Sequence, residues 1–251
     1  MTLRYVHKRT LLHSIKSKIY IAEGCKSGGS IEKNLVVVKK TIMNKHTLNE
    51  IELLTKLNGF FNNLDSSNRN IYIQQYLGHD IIGQNIFIYS TYLGYQSFPL
   101  SNIPQLKKTV NKCLYNELFI GILNGLKFIH SNRICHLDIK PHNIILNSEG
   151  IPVIIDFELS KPFGTLLNST GTKDYMAPEL YQKGVVANDK IDIYAMGNTI
   201  HYIKYDGLLF HHSIIDQPEY GNDMLLSCMN VNPNERPKVD DLIIFFMSEF
   251  C

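Results

Sequence analysis

A polar stretch rich in titratable side chains, residues 136–143 (HLDIKPHN), interrupts an otherwise apolar part of the chain. Before it, residues 118–130 carry apolar side chains at the spacing of a buried helix. After it, residues 144–157 have the pattern of two short buried strands joined by a turn, with an aspartate closing the second strand. A helix, a loop and a hairpin are therefore expected to bring four polar side chains together: Asp138, Lys140, Asn143 and Asp156.

The spacing of these residues is Asp-x-Lys-Pro-x-Asn, followed after the hairpin by Asp-Phe-Glu. The set resembles the catalytic loop H-R-D-x-K-x-x-N and the metal-binding D-F-G of protein kinases, and the resemblance runs from about residue 10 to the C-terminus. Lys140 followed by Pro141 resembles the serine/threonine-specific form of the loop. The resemblance implies an α+β, bilobal fold, with a small antiparallel-sheet N-lobe holding one main helix and a mostly helical C-lobe.

The resemblance also assigns chemical roles to the polar stretch. Asp138 is expected to accept the proton of the substrate hydroxyl, and Lys140 to balance the charge on the γ-phosphate of ATP. Asn143 and Asp156 offer oxygen ligands of the kind that Mg²⁺ prefers. ATP and Mg²⁺ are therefore the expected cofactors.

Two residues depart from the family pattern. Leu137 replaces the arginine that normally meets a phosphate on the activation loop, so we expect activity that does not depend on phosphorylation through that contact. The His-Leu-Asp form is found among active kinases, including the Wee/Myt and calmodulin-regulated light-chain groups. Glu158 replaces the glycine of D-F-G, which is expected to blunt activity while keeping Asp156 as a ligand.

A second lysine belongs to the expected nucleotide site. Residues 36–39 (VVVK) resemble the V-A-I-K strand, which makes Lys39 the residue that reaches the α- and β-phosphates, while Lys40 points to the other face. Glu50 is the expected ion-pair partner of Lys39, with Glu52 as the alternative. Thr47 and Glu50 also fit a helix capping box, which would need no active site.

The loop that covers the nucleotide is expected at residues 12–19, which contain no glycine. Ser14 and Ser17 stand where the family has glycines, and Ile19 keeps the apolar residue that ends the motif. Glycine lets the backbone approach a phosphate closely, so this departure weakens the expected ATP site. The pair Gly28-Gly29 is interpreted as a hairpin turn instead.

The order of strands along the chain predicts the hinge. Residues 71–77 and 85–90 are predicted strands, and residues 91–95 follow as the hinge, where backbone groups of Thr91 and Leu93 would bind the adenine edge. The whole chain, residues 1–251, is expected to form one protein kinase domain, with the N-lobe at about 1–93 and the C-lobe at about 96–251.

Residues 159–172 are the expected activation segment, in which Thr170 and its neighbour Ser169 are candidate phosphorylation sites. The following residues 171–179 resemble the motif that closes this segment, and Thr172 is expected in the substrate-binding wall, in contact with Asp138 and Lys140. Asp192 is expected to hold the backbone of the catalytic loop, and Arg236 to pair with Glu179. Five residues in all are expected to support the site structurally: His136, Phe157, Glu179, Asp192 and Arg236.

Composition excludes some other classes. The net charge of +2 gives no argument for a nucleic-acid or membrane partner, and no apolar run reaches transmembrane length. Five scattered cysteines are typical of reduced thiols, so a cytoplasmic or nuclear location is expected. The chain is also expected to be a monomer. The first 22 residues hold basic but no acidic side chains, as in a mitochondrial presequence, but strands of the N-lobe are the favoured interpretation.

The leading hypothesis is a Mg²⁺- and ATP-dependent protein serine/threonine kinase that acts on protein substrates, with a partner protein as the candidate source of regulation. The second hypothesis is a pseudokinase scaffold, supported by the missing glycines and by Glu158. The third is a Wee-like kinase acting on other kinases, for which His-Leu-Asp is the only argument.

Overall fold

The computed structural model describes residues 4–13, 17–25, 34–62, 71–111, 114–209 and 224–248. The chain divides into two compact units. The first unit comprises residues 1–69 and 74–94, and the second comprises residues 70–73 and 95–251. The division near residue 94 adjoins the expected hinge. The expected N-lobe included residues 71–73, but these residues belong to the second unit.

The first unit is an antiparallel sheet with one helix. Its elements are β1 (Arg4–His13), β2 (Ser17–Cys25), β3 (Asn34–Ile42), α1 (Lys45–Asn62), β4 (Tyr76–Ile82) and β5 (Asn85–Thr91). The strands pair in the order β1-β2-β3-β5-β4. Val36, Val38 and Tyr89 are buried on one face of this sheet, and Lys39 projects from the other face because side chains alternate along a strand.

The helix α1 starts with a cap formed by Asn44. The Asn44 side-chain oxygen accepts hydrogen bonds from the backbone N–H groups of His46 and Thr47, at 2.8 and 3.1 Å, and the Thr47 hydroxyl oxygen accepts the Asn44 N–H at 2.9 Å. The interpretation of Thr47 and Glu50 as a capping box is therefore wrong. Glu50 falls in the second turn, where its carboxylate is available to a different partner.

The second unit is mostly helical. Its helices are α2 (Ile103–Thr109), α3 (Tyr115–Ser131), α4 (Asp189–Lys204), α5 (Met224–Cys228) and α6 (Val239–Ser248). Its short strands are β6 (Phe98–Pro99), β7 (Ile134–Cys135), β8 (Ile144–Leu146), β9 (Pro152–Ile154) and β10 (Lys161–Pro162). The helices α3 and α6 pack through Phe119 and Phe246, whose ring centroids lie 5.2 Å apart. No helix in the described residues is long and apolar enough to cross a membrane.

The hairpin β8–β9 packs closely on α3 because of a glycine. A Cβ atom on Gly125 would lie 2.8 Å from the backbone oxygen of Tyr72, so only glycine fits there without a shift. The same Tyr72 oxygen accepts the N–H of Ile154 at 2.8 Å, and Ile73 forms a parallel bridge with Ile154. The hairpin that precedes Asp156 is thereby fixed to the helix that precedes the catalytic loop.

The strand predicted at residues 71–77 is correct only for Tyr76 and Leu77, the first residues of β4. Tyr72 and Ile73 contact Ile154 of the β8–β9 hairpin, and the strand β4 begins only at Tyr76. The apolar alternation of this stretch suits either partner, and packing decides between them. The predicted α+β class, with an antiparallel sheet and one helix followed by a mostly helical part, is confirmed.

Candidate active site

The predicted catalytic loop, residues 136–143, is held at its start by Asp192. Residues 136–140 connect β7 to a short 3-10 helix at Pro141–Asn143. The backbone N–H groups of His136 and Leu137 donate to the two carboxylate oxygens of Asp192, at 2.7 and 2.8 Å. Leu137 has a φ of 66°, a left-handed conformation that costs a non-glycine residue about 1–2 kcal/mol. Asp192 therefore stabilises the strained turn that leads into Asp138.

The charge of Asp192 is maintained in a fully buried position by histidine. Burial by itself raises the pKa of this carboxyl, but the hydrogen bond from His130 and the nearby His136 outweigh it and hold the pKa below its ordinary value. The Nε2 atom of His130 lies 2.9 Å from Asp192 Oδ2. Sequence reasoning missed His130, whose only signal is a single imidazole in the last turn of an apolar helix.

Asp138 lies at the centre of a cluster of four polar side chains. Its Oδ1 accepts a hydrogen bond of 2.6 Å from the Thr172 hydroxyl, and its Oδ2 lies 2.8 Å from Lys140 Nζ. Lys140 Nζ also donates to Thr172 Oγ1 at 2.7 Å, and the Asn143 amide nitrogen donates to Asp138 Oδ2 at 2.8 Å. The structure therefore brings together a carboxylate, an ammonium group, an alcohol and an amide.

Asp156 is placed beside this cluster by the backbone. The N–H of Ile155 donates to the carbonyl oxygen of Asn143 at 2.9 Å, so Asp156 follows one residue after a direct link to the catalytic loop. Asp156 has a φ of 67°. Because the Asn143 amide nitrogen is used by Asp138, its amide oxygen is the atom that could bind a cation.

The predicted supporting residues His136 and Phe157 are packed against each other. Both are fully buried, and their ring centroids lie 5.0 Å apart with an edge-on geometry. His136 Nδ1 accepts the N–H of Asp138 at 3.3 Å, so Nε2 carries the proton and donates to the Ile155 carbonyl at 3.1 Å. His136 thus joins the catalytic loop to the residue before Asp156.

The segment from Phe157 to Thr172 is fixed by backbone hydrogen bonds. Strand β10 pairs with β7, and residues 164–167 exchange hydrogen bonds with residues 185–187. The Thr170 hydroxyl donates a hydrogen bond of 2.9 Å to the Asn168 carbonyl within the same turn. Glu158, near the start of the segment, is partly exposed. The ordered segment delivers Thr172 to Asp138.

The predicted pair of Glu179 and Arg236 is present and buried. The Nη1 and Nη2 atoms of Arg236 each lie 2.7 Å from a different carboxylate oxygen of Glu179. The Arg236 side chain is fully shielded from solvent. This bidentate pair joins the end of the closing motif to the region before α6.

In the first unit, Lys39 and Glu50 form an ion pair. Lys39 Nζ lies 3.0 Å from Glu50 Oε2 and 3.2 Å from Oε1, and the Glu50 side chain is 4% exposed. Lys40 projects to the opposite face, where its Nζ lies 5.5 Å from the centroid of the Phe87 ring. Of the alternatives left open by the sequence, the structure pairs Lys39 with Glu50.

The structure describes some, but not all, of the remaining residues of the predicted nucleotide site. Ile19 lies opposite Lys39 and Ser17 opposite Thr41 in the β2–β3 ladder. Thr91 is the last residue of β5, and Leu93 follows it in the partly exposed stretch before residue 95. Ser14 and the predicted turn at residues 28–29 lie outside the described residues.

A comparison with protein-family models matches the protein kinase domain over residues 30–244. The matched range contains Lys39, Asp138, Asn143 and Asp156 and extends through both units. The family match and the geometry around Asp138 therefore concern the same residues.

Curated relatives carry kinase names. The rat proto-oncogene serine/threonine-protein kinase mos is 41% identical over 108 residues, covering 41% of this chain and 30% of the rat protein. A protein of Acanthamoeba polyphaga mimivirus, named as the serine/threonine-protein kinase R436, is 27% identical over 212 residues, covering 69% of this chain and 76% of that protein. The calcium/calmodulin-dependent protein kinase kinase cmkC of Emericella nidulans is 28% identical over 156 residues, covering 52% of this chain and 29% of that protein.

The matches to mos and cmkC thus cover less than a third of the length of those proteins. The family match, by contrast, covers most of this chain. The chain therefore belongs to the protein kinase family, as its resemblance to the serine/threonine-specific members predicted.

Proposed function

We propose that this chain transfers the γ-phosphate of ATP to serine or threonine hydroxyls of protein substrates. The observation that carries the proposal is the hydrogen bond of 2.6 Å between the Thr172 hydroxyl and Asp138 Oδ1, because it shows that Asp138 can accept a hydrogen bond from an alcohol. A substrate hydroxyl held by Asp138 in the same way would be oriented for attack, and its proton would pass to the carboxylate.

Charge neutralisation is the second requirement of phosphoryl transfer. The Lys140 side chain is 20% exposed, and its Nζ lies 2.8 Å from Asp138 Oδ2. A positive charge is therefore held beside the proposed acceptor position. In the first unit, the proposed role of Lys39 is to bind the α- and β-phosphates while Glu50 holds its side chain in place.

The donor atoms fit a magnesium ion. Mg²⁺ is commonly held by one or two protein oxygens together with water and phosphate oxygens, and Asp156 and Asn143 offer a carboxylate and an amide oxygen from adjoining backbone segments. When bound, the ion would neutralise phosphate charge. We propose that Asp156 and Asn143 are its ligands.

The adenine side of the ATP site is proposed from the order of residues in the chain. Backbone groups of Thr91 and Leu93 would bind the adenine edge, and Ile19 would cover the ring. Ser14 and Ser17 would present backbone N–H groups in place of the missing glycines. We propose that residues 1–251 form one protein kinase domain.

The test is transfer of labelled phosphate from ATP to a generic protein substrate with Mg²⁺. We expect the parent to be active, and both Asp138→Asn and Asp156→Ala to lose activity by about 10²–10⁴-fold. Glu149→Gln is the matched control, because Glu149 is an exposed carboxylate in the turn of the β8–β9 hairpin. Phospho-amino-acid analysis of the product distinguishes serine and threonine from tyrosine.

One result would contradict the proposal, and a second would show that the assay did not measure this chain. Folded parent protein without transfer, at high ATP and with several substrates, would favour the scaffold hypothesis. Equal transfer by the parent, Asp138→Asn and Asp156→Ala would show that a contaminating kinase produced the signal.

A further inference from the structure

The Phe163 ring contacts two side chains, one in the last turn of α3 and one just after that helix. The Arg133 guanidinium carbon lies 4.9 Å from the Phe163 ring centroid, and the His130 ring centroid lies 5.7 Å from it at an interplanar angle of 57°. The backbone N–H of Phe163 also donates to the Arg133 carbonyl at 2.8 Å. The start of the activation segment is therefore attached to the end of α3 by both its backbone and an aromatic side chain.

His130 connects Phe163 to Asp192, which binds the backbone of the catalytic loop. Its side chain is 8% exposed, and its Nε2 lies 2.9 Å from Asp192 Oδ2. Asp192 in turn accepts the N–H groups of His136 and Leu137, as described above. A continuous series of contacts therefore runs from Phe163 through His130 and Asp192 to the strained turn before Asp138.

We propose that Phe163 is a positioning residue for phosphate transfer, because its ring packs against His130 and so keeps Asp192 in place on the catalytic loop. This inference rests on the proposed transfer activity. Without the ring, His130 gains conformational freedom and water access, and its bond to Asp192 weakens. Leu137 then relaxes from its left-handed conformation, and Asp138 moves away from the position where it orients the hydroxyl.

Phe163 differs from an ordinary packing residue in what its removal changes. Loss of packing alone lowers stability and leaves the turnover of the folded protein intact. Loss of positioning lowers kcat of the folded protein and leaves the KM for ATP almost unchanged, because no nucleotide contact is removed. Phe245 in α6 offers a matched control, since it is also half-buried and its ring centroid lies 5.2 Å from that of Phe246.

The experiment measures kcat and KM for Phe163→Ala, Phe163→Tyr and Phe245→Ala at a temperature where circular dichroism shows all of them folded. We expect kcat of Phe163→Ala to fall about tenfold, with the KM for ATP within about twofold of the parent value. Phe163→Tyr keeps the ring and is expected to restore kcat. Phe245→Ala is expected to keep the parent kcat. Phe163→Leu replaces the alanine variant if the latter does not fold.

A double-mutant cycle tests the route through His130. If Phe163 acts through His130, then Phe163→Ala adds no further loss of kcat to His130→Asn. Additive losses would overturn the inference, as would an unchanged kcat in Phe163→Ala or equal losses in Phe163→Ala and Phe245→Ala. An inactive parent would overturn the proposed function together with this inference, whereas an active parent with an unaffected Phe163→Ala variant would overturn this inference alone.

Discussion

Replacing Glu179 by alanine leaves a buried guanidinium without its counter-charge. The five N–H donors of Arg236 are all used. Two donate to the Glu179 carboxylate at 2.7 Å each. The other three donate to the backbone oxygens of Asn230 at 2.8 Å, Lys190 at 2.9 Å and Val231 at 3.4 Å. The three backbone contacts hold the guanidinium in its buried position, so it cannot move into solvent when the Glu179 carboxylate is removed.

The magnitude of the effect follows from these contacts. Each charge-assisted hydrogen bond contributes about 1.5–3 kcal/mol, and the Glu179 variant loses two of them. Removing one partner of a buried ion pair costs about 3–5 kcal/mol in other proteins. The Glu179 side chain is 12% exposed, which allows some relief by solvent. We therefore expect Glu179→Ala to lower the free energy of unfolding by about 3–4 kcal/mol.

Urea unfolding followed by far-ultraviolet circular dichroism measures this loss, because the chain has no tryptophan for fluorescence. The melting temperature should fall by roughly 6–16 °C. Asp240→Ala is the control: it breaks the Lys127–Asp240 pair, whose atoms lie 2.6 Å apart but whose side chains are 49% and 56% exposed. The control should lose less than about 1 kcal/mol. A loss in Glu179→Ala no larger than in the control would refute the reasoning.

Three further predictions concern single residues. Gly171 has a φ of 132°, and a Cβ there would lie 2.9 Å from a methionine side chain, so Gly171→Ala should lower kcat about tenfold in the transfer assay. Gly78→Ala, with a φ of 141° but open space around the added methyl group, should keep kcat; equal losses would contradict this. Glu50→Gln removes the counter-charge of Lys39 and should raise the KM for ATP about fivefold in an ATP titration, and an unchanged KM would count against the proposed role of the pair. In the folded protein the pKa of Asp192 lies below the ordinary value of 3.8. The ionised carboxylate therefore stabilises the fold above pH 3.8, and this stabilisation is lost as the pH falls through the folded-state pKa. The stability difference between the parent and Asp192→Asn, measured by urea unfolding, should therefore shrink below pH 3.8, and a difference that stayed constant would contradict the assignment.

The arrangement of side chains around Asp138 could be predicted from the sequence because its parts are close together in the chain. Asp138, Lys140 and Asn143 lie within six positions, and the apolar patterns on either side specify the helix α3 and the hairpin β8–β9. The same patterns, together with the family resemblance, were sufficient for the fold class. Local spacing carries this information because hydrophobic periodicity and turn residues act over a few residues.

Contacts between distant residues were decided by the tertiary structure. The pairing of Lys39 with Glu50, and not with Glu52, depends on where Asn44 starts α1 against the sheet. The apolar alternation of residues 71–77 fitted two sheets, and packing against α3 selected one for residues 71–73. His130 meets Asp192 across 62 positions of the chain. Such contacts depend on how whole elements pack, and a local pattern of apolar and polar residues cannot specify them.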